Sequence, residues 1–188
     1  MHALNEALRG RDWLEDPLTA LLRASVPVMV VAAVVPWFLG RPYVRSTWRL
    51  ATANALAAAA LALGANQVLS HLWNRARPFV AHPDQVALFV SHARDSSFPS
   101  DHAAASFAIA VSFLLLHRRL GLAYLVLAAA IAAVRVFEGV HYPTDVLAGA
   151  AIGVAAALLV ARLARPLVEA AVALVQKATD PVVALVRR

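Results

Sequence analysis

Within Arg135-Val-Phe-Glu-Gly-Val-His141-Tyr-Pro-Thr-Asp145, a guanidinium, an imidazole and a carboxylate occur between two apolar runs. An ordinary membrane helix has no use for such a trio. A second cluster, Phe98-Pro99-Ser100-Asp101-His102, opens the apolar run before it, and a third, Arg75-Ala-Arg77-Pro78, closes an earlier run. These residue types suit hydrolysis of a phosphate ester or anhydride. Phosphoryl oxygens need fixed positive donors, a nucleophile must reach phosphorus in line, and the departing oxygen needs a proton.

Each role has a candidate. His141 serves as nucleophile when it is neutral and one ring nitrogen faces phosphorus. Asp145, four residues on at the expected start of a helix, can accept the other ring N–H, setting the tautomer and stabilising the imidazolium that forms. Pro143 stiffens the turn between them. His102 is the natural general acid. It needs the opposite protonation state, so the two imidazoles need environments that separate their pKa values. Asp101 beside it, or the bound phosphate, favours its charged form. Ser100 and the backbone N–H groups at the start of its helix make an anion site. Arg77 and Arg135 offer planar forks to phosphoryl oxygens, a task that Lys performs less specifically. The scheme requires no metal and no other cofactor, and the sequence lacks a dense carboxylate set for magnesium. Taken singly, each residue has a structural explanation. An Arg at a membrane edge snorkels, and Ser-Asp before a helix is a cap. Three such clusters reaching one face exceed what those explanations cover.

The elements that must position them are membrane helices. Of 188 residues, 61% are hydrophobic and only 15% charged, with a mean hydropathy of +0.68. A soluble domain carries far more charge. We expect an all-α, polytopic transmembrane bundle of five or six spans, one domain over residues 1–188. The absence of cysteine excludes disulfides and thiolate metal sites. The net charge of +6 sits between apolar runs, which fits membrane orientation rather than nucleic acid. No basic start leads straight into an apolar core, so no cleaved signal peptide is expected.

Residues 1–16 read as an interfacial amphipathic helix, the alternative being a disordered terminus. Five apolar runs follow: Leu18 to Leu39, Leu50 to Trp73, Ser100 to Leu116, Leu120 to Phe137, and Val146 to Val160. Pro27 and Pro36 should kink the first or end it early. Asn54, Asn66 and Gln67 in the second should face protein rather than lipid. The third and fourth, parted only by His117-Arg118-Arg119, should form an antiparallel hairpin. Gly149 and Gly153 permit close helix approach on the fifth. Residues 166–188 read as an amphipathic surface helix or a sixth span, interrupted by Pro181. Glu138 is expected to pair with Arg135, the alternative being that it faces water. The arginines at 41, 45, 49, 118, 119, 162 and 165 share one side, expected to be cytoplasmic. All three chemical clusters then reach the opposite, extracytoplasmic face.

These motifs resemble the phosphatidic acid phosphatase type 2 superfamily: Arg77-Pro78, Pro99-Ser100-Asp101-His102, and Arg135 with His141 and Asp145 at its third-motif spacing. The resemblance runs from about Ser70 to Val160. It implies a membrane phosphatase in which His141 forms a phosphohistidine, His102 is the acid, Asp145 orients, and Ser100, Arg77 and Arg135 bind phosphate. Three positions depart from the pattern. Ser70 stands where a Lys is usual, Val134 where a Ser is usual, and Asp101 where many lipid phosphatases carry Gly. Within the superfamily, Arg77-Pro-Phe-Val-Ala-His and Ser97-Phe-Pro-Ser-Asp-His102 are similar to bacterial undecaprenyl diphosphate phosphatases of the bacitracin-resistance type, which often lack that Lys. The resemblance therefore implies a polyprenyl diphosphate lipid as substrate, in the bacterial inner membrane. Arg75 supplies a replacement charge, and Arg75 or Arg94 holds a second phosphate. Asp101 is grouped with the phosphate-site residues. The alternatives are a broader lipid phosphatase acting on phosphatidylglycerol phosphate or phosphatidate, a lipid A phosphotransferase, and a non-catalytic membrane scaffold. Vanadium haloperoxidases share the constellation, but they are soluble.

Overall fold

The computed structural model describes residues 12–39, 45–86 and 93–186, and every regular element among them is a helix. In chain order these are α1 (Asp12–Leu39), α2 (Arg45–Leu72), α3 (Pro78–Ala81), α4 (Asp101–Leu116), α5 (Arg118–Phe137), α6 (Pro143–Leu163) and α7 (Arg165–Val186). Three are long and apolar enough to cross a membrane: Ser46–Leu72, Arg118–Phe137 and Pro143–Leu163. Two shorter apolar stretches, Val28–Phe38 and Asp101–Leu116, complete the five expected runs. The protein is a multi-pass helical membrane bundle. The interfacial helix expected over residues 1–16 falls, for residues 1–11, outside the described residues, and from Asp12 the chain is already in α1.

Of the two outcomes expected at Pro27 and Pro36, a kink or an early stop, the stop does not occur: α1 runs on to Leu39. Nor does Pro181 interrupt α7. Within a packed membrane bundle, neighbouring groups can satisfy the carbonyls that a proline frees.

The central element is α4, which packs on α2, α5 and α6. Lipid tails are as apolar as leucine, so helices in a membrane gain little by hiding apolar surface. Close van der Waals packing holds them instead. Small residues permit it. Ala58 and Ala62 of α2, Ala104 and Ala108 of α4, and Ala156 and Ala157 of α6 share one buried cluster. A Cβ on Gly149 would collide with the Ser100 carbonyl, and one on Gly153 with the Ala104 carbonyl. Here α6 touches the backbone of α4, as the small-residue spacing predicts.

Asn54 and Asn66 are buried, as expected, but Gln67 is exposed. It lines a polar cavity instead of packing against protein. At the other end of the bundle, α4 and α5 form the expected hairpin around His117, whose ring lies 4.9 Å from that of Trp48. There α7 packs Val168 and Val172 into the same cluster as Trp37 of α1. Buried Arg49 pairs with Asp180 and lies under the Trp37 ring. The C-terminal end of α2, the N-terminal end of α4, the C-terminal end of α5 and the N-terminal end of α6 all meet at the opposite end.

Candidate active site

The third cluster is built on a turn. Glu138 caps α5, and Gly139 takes φ 74°, a left-handed conformation that a side chain would strain. This reverses the chain so that the His141 N–H donates to the Arg135 carbonyl at 3.2 Å. Pro143 then starts α6, where a proline loses nothing. Asp145 follows, wholly buried, and its Oδ2 accepts the Tyr142 N–H at 2.8 Å.

The loop between α2 and α4 clasps this turn. Arg77 leads into the one-turn helix α3, and the Phe79 N–H donates to the Gly139 carbonyl at 3.2 Å. The Ser97 N–H reaches the Arg75 carbonyl at 2.8 Å, and the Ser100 N–H reaches the Asp145 carbonyl at 3.0 Å. Three stretches far apart in sequence are thus joined by backbone hydrogen bonds before any side chain is considered.

Beside them, at the end of α2, lies a cavity of about 590 Å³. His141, His102, Arg77, Arg135 and Asp101 all line it, with Arg94, Asp95 and His71. His141 is buried, and its Nδ1 donates to the Ser97 carbonyl at 2.8 Å. This places the proton of the neutral ring on Nδ1 and leaves Nε2 as a lone pair. Arg77 Nη1 approaches that Nε2 at 3.3 Å. The same guanidinium is fixed by Asp95 Oδ1 at 2.8 Å and the Val140 carbonyl at 3.1 Å. Burial pushes the His141 pKa below its ordinary value. The Asp145 carboxylate opposes that shift, the charges of Arg77 and Arg135 add to it, and the Ser97 carbonyl opposes it weakly. At neutral pH the ring is an uncharged base.

The expected residues gather with four differences. Asp145 is not the direct acceptor of the His141 N–H: its Oδ2 lies 3.8 Å from Nδ1, beyond hydrogen-bond length, while the Ser97 carbonyl takes the bond. Arg75 does not line the cavity. Its Nη1 binds Asp145 Oδ1 and Thr144 Oγ1, each at 2.8 Å, and its guanidinium sits 3.8 Å from the centre of the Tyr142 ring. Arg75 therefore braces the carboxylate behind His141. Ser100, expected to bind phosphate, does not line the cavity: it takes the N-cap position of α4, and its buried hydroxyl has no hydrogen-bond partner among the described residues. Asp101 accepts from Asn66 Nδ2 at 2.9 Å, so α2 holds it in place. Glu138 pairs with Arg135 as expected, at 3.4 Å.

Sequence reading missed Ser97 and Asp95. A backbone carbonyl leaves no signal in residue type, and Asp95 looked like any loop acid. Ser70, which stands where the family's Lys is usual, lines the cavity, but its hydroxyl is turned to the Gln67 carbonyl at 2.9 Å.

Fold and site together define a helical membrane protein with a histidine-centred cavity, lined by two buried guanidiniums, at the ends of its spans. The PAP2 superfamily pattern matches residues 48–168. The chain is 36% identical over 152 residues to the bacitracin transport permease protein BcrC of Bacillus licheniformis, covering 80% of this chain and 73% of that protein. It is 34% identical over 147 residues to the putative undecaprenyl-diphosphatase YbjG of Escherichia coli (strain K12), covering 78% and 71%. Its fold is similar to that of the PAP2-type phosphatidylglycerolphosphate phosphatase of Bacillus subtilis, with a TM-score of 0.60 at 23% identity over 85% of this chain and 82% of that one. This chain belongs to the PAP2 superfamily. It is a membrane-embedded lipid phosphatase.

Proposed function

We propose that this chain hydrolyses undecaprenyl diphosphate to undecaprenyl phosphate and inorganic phosphate, recycling the cell-wall lipid carrier at the extracytoplasmic face of a bacterial inner membrane. The observation that carries the mechanism is the orientation of His141. With Nδ1 tied to the Ser97 carbonyl, Nε2 carries the lone pair, and its ring lines the same cavity as two buried guanidiniums. The terminal phosphate enters between Arg77 and Arg135. Arg77 exchanges its contact with Nε2 for a phosphoryl oxygen, and Nε2 attacks phosphorus. The bond from phosphorus to the bridging oxygen breaks, and His102 protonates that oxygen as undecaprenyl phosphate departs. The phosphohistidine is an imidazolium, stabilised by the Asp145 carboxylate behind it. Water then attacks phosphorus, His102 takes its proton, and the phosphorus–nitrogen bond breaks to release inorganic phosphate. Arg94, on the cavity wall, faces the second phosphate. The relatives named for bacitracin and undecaprenyl diphosphate support this choice of lipid.

The test is phosphate release by purified wild-type and His141→Ala protein from a panel of undecaprenyl diphosphate, phosphatidylglycerol phosphate, phosphatidate and lipid A. Wild type should prefer the diphosphate, and His141→Ala should lower kcat by about a thousandfold or more. Preference for a monophosphate would replace the substrate, and unchanged turnover by His141→Ala would remove the mechanism. Phosphate appearing on an added lipid acceptor rather than in solution would make the enzyme a phosphotransferase.

A further inference from the structure

A second opening adjoins the polar cavity. Between α1, α2, α4 and α5 lies an apolar groove of about 200 Å³, walled by Met29, Val30, Leu56, Ala59 and Ala105 among others. Val30 is 48% exposed and Leu56 44%, so its mouth opens on the lipid-facing surface of the bundle. The Ser106 hydroxyl donates back to the His102 carbonyl at 2.5 Å and leaves the wall apolar. Asp101 and His102 line both the groove and the cavity, whereas His141, Arg77 and Arg135 line the cavity alone.

We propose that this groove seats the first isoprenoid units of the substrate, which enters sideways from lipid with its tail-bearing phosphate toward His102. The proposal rests on the polyprenyl diphosphate reading above. In-line displacement puts the attacking nitrogen and the departing oxygen on opposite sides of phosphorus. The departing oxygen belongs to the phosphate that carries the tail. An apolar path that reaches His102 but not His141 fits that one orientation and no reversed one. At roughly 30 Å³ per heavy atom, the groove takes about one or two five-carbon units, and the rest of the tail stays in the bilayer. Since the tail would otherwise lie in lipid, the groove adds little transfer free energy. What it adds is alignment of the scissile bond.

Two variants test this. Ala105→Phe fills the groove, and Val30→Trp narrows its mouth from a half-exposed position on the surface of the bundle. Hydrolysis of geranyl and farnesyl diphosphate is compared with that of inorganic pyrophosphate, which has no tail. We expect kcat/KM for both prenyl substrates to fall about tenfold or more, with pyrophosphate changed by no more than about twofold. Equal losses on all three, or no loss on any, would overturn the groove. If wild type acts on no prenyl diphosphate but does hydrolyse dioctanoyl phosphatidate, the substrate reading fails by itself. The groove is then judged by whether the same variants spare glycerol phosphate and impair dioctanoyl phosphatidate. A farnesyl diphosphate analogue with a photoreactive group in its first unit, bound to His141→Ala protein, should label residues 28–30 or 56–59, and labelling confined elsewhere would reject the site.

Discussion

Glu138 sits three residues before His141 and has almost no contact with water, being 3% exposed. One carboxylate oxygen lies 3.4 Å from Arg135, and the other is buried with no hydrogen-bond partner among the described residues. Burial pushes its pKa from 4.5 up to about 7, against the pull of the Arg135 charge. The sign of the consequence follows. The folded state holds this proton more tightly than the unfolded chain, so its contribution is fully present below pH 4.5 and is lost as pH rises to about 7. Glu138→Gln keeps the shape and removes the titration. Its melting temperature relative to wild type should therefore be higher at pH 8 than at pH 5, by roughly 2–4 °C for each kcal/mol recovered. A difference that stays constant between the two pH values would show that Glu138 does not titrate there. The same acid bears on the chemistry, because its ionised form offsets the Arg135 charge that the substrate needs.

The decisive contact among elements is that of α4 with α6. His102 rides on the first and Asp145 on the second, and the Ser100–Asp145 backbone bond ties the two N-termini. Gly149 lies directly against that bond's own residue, since any Cβ there meets the Ser100 carbonyl. Gly149→Val should push the start of α4 away from α6, destabilise the protein by about 1–3 kcal/mol, and lower kcat by about tenfold or more. Gly64 provides the control. Nothing lies within 4 Å of where its Cβ would be, so Gly64→Ala should leave kcat unchanged and gain up to about 1 kcal/mol from helix propensity. Thermal unfolding and turnover of the two variants measure the contrast. Equal behaviour would mean that the close approach is incidental.

For the whole molecule, the membrane sets the geometry. Clusters at alternate helix ends share one face only if the spans between them cross the bilayer in turn. The chain has no native cysteine, so single substitutions report sidedness cleanly. Asp84, in the exposed site-side loop, and Arg118, exposed at the α4–α5 hairpin, mark the two ends. In intact cells an impermeant maleimide should label Asp84→Cys and spare Arg118→Cys until the membrane is opened. The reverse pattern would place the site in the cytoplasm.

The residues themselves determined the helical membrane class, since apolar content and run length leave a chain few other ways to satisfy its backbone in lipid. They also determined the close packing at Gly149 and Gly153, and helical spacing favoured a pairing of Glu138 with Arg135 that the structure then decided. Only tertiary structure decided what stands behind His141. A backbone carbonyl from Ser97 takes the ring N–H, and Arg75 turns from the phosphate site to the carboxylate. Both depend on how the loop between α2 and α4 folds over the α5–α6 turn. No residue pattern carries that information, since every backbone has the same carbonyl and a loop's path is set by contacts far apart in the chain.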